Sequence, residues 1–181
     1  MKLKIKLTDL KTNPIQIIKD SAKDGEFEVK EVIKKIKTRK EKIDFIFWLI
    51  KNCEKAQTQD MLEFFKTLKP SVDEVRCLIE DYKIAQTQKM LEFFKSLNPS
   101  ADEVNYLIRY CKFAQTHEML EYFKSLKPDA IEVRWLIEDC KFAQTIEMLK
   151  FFKSLKPSKN DLTWLIRNCK FAWENKNFLL N

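Results

Sequence analysis

Apolar and polar positions along this chain recur at a fixed spacing. A 29-residue pattern starts at Glu54, Lys83, Lys112 and Lys141 and begins again at Lys170, with Ala56, Ala85, Ala114, Ala143 and Ala172 marking the copies. In the copy Glu54–Tyr82, Met61, Leu62, Phe64, Phe65 and Leu68 cover roughly 160° of a helix at ~100° per residue. A stripe that wide is covered by neighbours on more than one side. The second half sets Val75, Leu78, Ile79 and Tyr82 at i, i+3, i+4 and i+7, one face of a second helix.

Start and stop residues agree with two helices per copy. Pro70, Pro99, Pro128 and Pro157 separate the halves, and the residue before a proline is disfavoured in the α region, so the first helix ends there. Ser71, Ser100, Asp129 and Ser158 follow, each with Glu74, Glu103, Glu132 or Asp161 three residues on, the spacing of a capping box. Thr58, Thr87, Thr116 and Thr145 are N-caps for the first helix, without a Glu or Gln at N3. One copy is a helical hairpin with two helices of about three turns each.

Self-similarity at such a period is the signature of stacked repeats. The expected fold class is therefore all-α, a right-handed αα-solenoid of 29-residue helical-hairpin repeats, on the order of 50 Å long. The ankyrin and leucine-rich repeat strings are absent. The expected organisation is an N-terminal arm with a short helix over 1–24, a degenerate capping repeat over 25–53, four repeats over 54–169, and a partial repeat or cap over 170–181. In the arm, Met1–Leu7 alternates as a short strand or an ordered arm would, and Asn13-Pro14 reads as N-cap and N1 of a helix ending near Gly25. In the degenerate repeat Val32, Ile33 and Ile36 fall where Met61, Leu62 and Phe65 fall, while the proline and capping box are missing. Exposed Phe178, Leu179 and Leu180 would favour end-to-end self-association if the last segment does not cap the stack.

A second-order pattern doubles the period. VRCLIEDY and VRWLIEDC alternate with VNYLIRYC and LTWLIRNC, so Lys51, Glu80, Arg109, Glu138 and Arg167 share one position with alternating sign. Opposite charges on neighbouring copies fix register at ~0–1 kcal/mol per exposed pair.

Composition narrows the setting. The single glycine disfavours tight hairpins and hence sheets. No run of 18 apolar residues and no signal-peptide core occur, so no membrane partner is expected and the localisation read from the sequence is cytoplasmic. Cys53, Cys111, Cys140 and Cys169 share a position that Tyr82 fills in one copy. Helices 8–10 Å apart are too distant for a disulfide between them, and no Cys/His cluster suits zinc. These cysteines are expected as buried apolar residues in a reducing compartment, with Cys77 a free thiol. No cofactor and no metal are expected.

Candidate binding residues fall into two groups. Residues 1–55 hold 15 Lys/Arg against 9 Asp/Glu, which accounts for most of the net charge of +7. Its densest part, 30–42, supplies a possible anion-binding patch of Lys34, Lys35, Lys37, Arg39, Lys40 and Lys42, or a solvated face of the capping repeat. The second group is a row at one repeat position, Trp48, Tyr106, Trp135 and Trp164, with Cys77 in the remaining copy. This position lies about 150° from the middle of the second helix's apolar face, so the rings either pack on neighbouring copies or form a binding ridge. Arg76, Arg109, Arg134 and Arg167 flank it. Trp, Tyr and Arg are enriched where binding energy concentrates, while Glu80, Asp81, Glu138 and Asp139 beside the row disfavour nucleic-acid phosphates. The lone His117 has no orienting partner in sequence, and no Gly-rich phosphate loop or HExxH string occurs, so no enzyme is expected. The function expected is a scaffold or adaptor binding a protein or peptide along the second-helix face through Trp48, Tyr106, Arg109, Arg134, Trp135, Trp164 and Arg167. The alternative is nucleic-acid binding through the basic segment and the aromatic row.

Overall fold

The structure, a computed structural model, describes residues 3–11 and 15–181. These are mostly helical, with thirteen α-helices among the described residues. None of the helices is long and apolar enough to cross a membrane. The chain divides into two compact units, one running to Met90 and one from Leu91.

In the first unit, β1 (Lys4–Lys6) pairs antiparallel with β2 (Glu26–Glu28), with Ile5 opposite Phe27 and Lys6 opposite Glu26. Alternation buries Ile5 and Phe27 and leaves a Lys6–Glu26 pair at 3.9 Å outside. Asp24 and Gly25 take left-handed conformations, φ 49° and 76°, where the chain turns into β2. The strand expected near the N-terminus is thus present in its described part, with a partner strand that periodicity did not reveal. Met1, Lys2, Asn13 and Pro14 lie outside the described residues. The helix expected after Asn13-Pro14 is α1 (Gln16–Lys19), a single turn.

Helices α2 (Val29–Lys35) and α3 (Arg39–Asn52) form the degenerate copy, and Val32, Ile33 and Ile36 are buried as their register requires. Its capping box, expected to be missing, is present: Thr38 Oγ1 accepts from Glu41 N–H at 3.2 Å, and Glu41 Oε2 accepts from Thr38 N–H at 3.1 Å. It escapes a strict 29-residue register because α3 begins an extra turn earlier than its counterparts. Arg39 then forks onto Glu74, at 2.8 and 3.4 Å, joining this copy to α5 (Val72–Asp81), which follows α4 (Gln59–Thr67).

The remaining helices are α6 (Gln88–Ser96), α7 (Ala101–Tyr110), α8 (His117–Ser125), α9 (Ala130–Asp139), α10 (Ile146–Ser154), α11 (Lys159–Asn168), α12 (Lys170–Glu174) and α13 (Lys176–Leu180). Within the second unit the second helices touch in chain order, α7 on α9 and α9 on α11, and α8 and α10 lie against α7 and α9. Met119, Leu120 and Phe123 from a first helix and Val133, Leu136 and Ile137 from a second are buried, and the other full copies bury the equivalent residues except Leu162, which is half-buried.

The expected caps form. Thr58, Thr87, Thr116 and Thr145 accept from the N–H three residues on, at 3.2–3.3 Å. Reciprocal boxes join Ser71 to Glu74, Ser100 to Glu103 and Asp129 to Glu132. At Ser158 the hydroxyl accepts from Asp161 N–H at 3.1 Å and donates to Asp161 Oδ2 at 2.5 Å, while Asp161 Oδ1 serves Arg134.

Two local features were not legible. The pre-proline residues Lys69, Asn98, Lys127 and Lys156 are left-handed, φ 53–55°, where proline alone suggests extended backbone. The helix is ended by a left-handed residue after its last turn, a place that suits Gly or Asn and strains lysine. A single 3₁₀ turn over Lys112–Ala114, and its equivalents, packs the fully buried marker alanine beneath the hairpin. The glutamine after it caps the preceding helix, Gln115 Nε2 donating to Ile108 O and Gln144 Nε2 to Ile137 O, each at 3.1 Å. In the last copy Trp173 replaces that glutamine and α12 replaces the turn. Leu179 is buried, Phe178 is half-buried with Lys153 Nζ donating to its carbonyl oxygen at 2.9 Å, and Leu180 is exposed.

Candidate binding face

The i+3/i+4 apolar spacing of α7, α9 and α11 commits one face of each helix to the core and turns the opposite face outward. On that face stand Tyr106, Trp135 and Trp164, exposed by 42%, 39% and 54%. All three rings are thus partly open to solvent within the second unit, and Trp164 also touches Arg134 of the preceding copy. Side chains this large are usually covered, and adjacent exposed ones mark interaction surfaces.

Two residues extend the row that the sequence reading missed. Tyr110 is 57% exposed with its ring 4.4 Å from Tyr106, and Ile131 is 41% exposed. Each lies four residues from a row member on the same helix, so the i, i+4 rule was the available signal.

The flanking arginines turn sideways into the joints between copies. Arg134 Nη1 donates to Asp161 Oδ1 at 2.9 Å, its Nε lies 3.7 Å from Glu138 Oε1, and its guanidinium sits 5.6 Å from the Trp164 ring. Arg109 is paired with Asp139 and lies 5.1 Å from the Tyr110 ring. The opposite-charge contact therefore runs from Arg109 to the residue after Glu138. Both guanidinium groups are largely covered and neutralised. Burial pushes the Glu138 carboxyl above the usual glutamate range, with Arg134 acting against that shift. Of the seven residues expected to bind, Tyr106, Trp135, Trp164 and Arg167 are exposed, while Arg109 and Arg134 are paired with Asp139 and Asp161 of the following second helix.

Trp48 belongs to the first unit. It is half-buried, stacked on Phe45 at 6.5 Å and 16°, and with Ile15, Ile17 and Ile36 lines an open cavity of 530 Å³. Arg76 is covered on α5 and held by Asp73 and Glu80, each at 3.1 Å. Burial raises the Cys77 thiol above its ordinary range, so it is not an activated nucleophile.

The basic segment is partly spent on its own surroundings. Lys34 pairs with Glu31 at 2.6 Å, Lys35 donates to Ser21 Oγ at 2.9 Å and to Asp20 O at 3.3 Å, and Arg39 is held by Glu74. Lys37 and Lys40 are exposed and Lys42 is half-buried.

His117 lies exposed, its Nε2 4.0 Å from Glu121 Oε1. Among the described residues no group of three or more His, Cys, Asp or Glu could hold a metal ion. The cysteines are unbridged, and the Cys140 and Cys169 thiols donate weakly to Ile108 O and Ile137 O at 3.8 Å. Comparison with protein families, with curated proteins and with solved structures finds no match to this chain.

Proposed function

We propose that the chain is a non-enzymatic αα-solenoid, right-handed, that serves as a scaffold or adaptor and binds a protein or peptide along its second-helix face. One observation carries the reading: Tyr106, Trp135 and Trp164 are solvent-exposed on three helices packed side by side, with Tyr110 and Ile131 beside them. An aromatic strip beside which Arg109 and Arg134 are already paired offers mainly desolvation and shape to its ligand, with Arg167 as the exposed charge. Such a surface matches a polypeptide better than a polyphosphate backbone.

The test uses the full chain as bait in lysate of its source cells, with and without nuclease. Capture of the same polypeptides in both arms, and its loss in a Trp135→Ala, Trp164→Ala double variant of unchanged helicity, is the expected result. Equal capture by the double variant would rule out the strip. A second reading, nucleic-acid binding, draws on exposed Lys37 and Lys40 in a basic segment. It requires affinity for RNA or DNA that falls steeply with salt and drops in a Lys37→Glu, Lys40→Glu variant.

A further inference from the structure

Tyr106, Trp135 and Trp164 recur once per hairpin, so a ligand lying across them must repeat its own face at the distance between neighbouring second helices. Trp135 stands on α9, which touches both α7 and α11, and its ring is still 39% exposed. Exposure of the strip is therefore a property of this position within an interior copy. Packed helices lie about 8–10 Å apart. A strand returns to one face every two residues, about 6.7 Å, and an α-helix after seven residues, about 10.5 Å. A polyproline II segment does so every three residues, about 9.3 Å, in step with the helices.

We propose that the strip binds a proline-rich segment of another protein in the polyproline II conformation, one turn per helix, its apolar groups seated between Tyr106, Trp135 and Trp164. This occupant presupposes that the strip is the binding face. Grooves lined by aromatic rings are the surface such segments use. Tyr110, with its ring 4.4 Å from Tyr106, and Ile131 widen the contact. Charge points the same way. The only cations of α7 and α9 are Arg109 and Arg134, whose side chains are 17% and 16% exposed and paired with Asp139 and Asp161. Asp102, four residues before Tyr106, is exposed. A phosphate backbone or an acidic peptide finds no uncovered cation on these two helices, whereas an uncharged or basic segment meets no repulsion. Polar groups match as well. Polyproline II leaves its carbonyl groups unpaired, and tyrosine hydroxyls and the Trp135 indole N–H are donors. The segment is already extended before it binds, so it gives up little conformational freedom.

The probe is a labelled, uncharged peptide of repeated leucine-proline-proline units, titrated against the full chain by fluorescence anisotropy. Saturable binding is expected, and at least ~10-fold weaker binding when the same residues are reordered so that leucine spacings alternate between two and four. Trp135→Ala should weaken it at least ~10-fold and Tyr110→Ala by a smaller factor. Both rings are exposed, and circular dichroism checks that helicity is unchanged. No saturation at about 1 mM peptide, or equal affinity for the ordered and reordered peptides, overturns the proposal. Capture from lysate that still depends on Trp135 and Trp164 in that case leaves the strip as the binding face for another class of polypeptide. Capture indifferent to the Trp135→Ala, Trp164→Ala variant removes both readings. Tighter binding of a single-stranded oligonucleotide of the same length, lost in Trp135→Ala, overturns the proposal in favour of nucleic acid.

Discussion

The contact between Arg134 and Asp161 is the sharpest place to test how the copies of the second unit are joined. Their side chains are each only 16% exposed and meet at 2.9 Å between α9 and α11. At an effective dielectric constant of ~20 the Coulomb term at that separation is roughly 6 kcal/mol, and desolvation of both ions cancels much of it. A charge-assisted hydrogen bond contributes ~1.5–3 kcal/mol net. A double-mutant cycle of Arg134→Met and Asp161→Asn should therefore return a coupling of about 2 kcal/mol, read from urea unfolding followed by circular dichroism. The parallel cycle on Arg109→Met and Asp139→Asn should return less, ~1 kcal/mol, because the Asp139 side chain is 46% exposed. A coupling under ~0.5 kcal/mol at Arg134–Asp161, or the reverse ranking of the two cycles, would refute the idea that covered ion pairs fix the joints.

Other expectations follow from local chemistry. Lys127→Gly removes left-handed strain of ~1–2 kcal/mol against ~0.5–1 kcal/mol of added unfolded-state freedom. It should raise the melting temperature by a few degrees, and Asn98→Gly should do less. The Glu138 carboxyl is pushed up by burial, so its ionised form opposes folding at neutral pH, and that penalty vanishes as pH falls below its unfolded range. Glu138→Gln should accordingly melt higher than the parent at pH 7 and alike at about pH 3; a lower melting temperature at pH 7 contradicts this. Gln144→Leu leaves Ile137 O with only the weak Cys169 thiol as donor and should cost about 1 kcal/mol in urea titration, more than Gln57→Leu at an exposed copy of the same clamp.

Helix boundaries were legible in the four full copies where a side chain makes the cap, as with Thr116 and Met119 or Ser100 and Glu103, because capping needs particular residues at particular spacing. The left-handed Lys127 was not, since tertiary placement of Pro128 overrides what lysine prefers. The partner strand β2 was hidden because a three-residue strand carries too few positions for alternation to be distinctive, and the Thr38–Glu41 box because α3 is longer than the repeat dictates. At the candidate face, periodicity placed Tyr106, Trp135 and Trp164 together but could not say that Arg109 and Arg134 bend into the joints. That depends on where Asp139 and Asp161 of the following helix come to lie, a relation between segments about thirty residues apart.

The alternation of joint chemistry gives the chain a parity. If the segment Lys112–Cys140 were excised in register, Arg109 would meet Asn168 in place of Asp139, while Asn105 would still find a main-chain carbonyl, that of Asp161. Insertions or losses of one hairpin misalign donors with acceptors, whereas those of two restore the match. Lengthening or shortening of this molecule by recombination should therefore succeed in even steps and falter in odd ones.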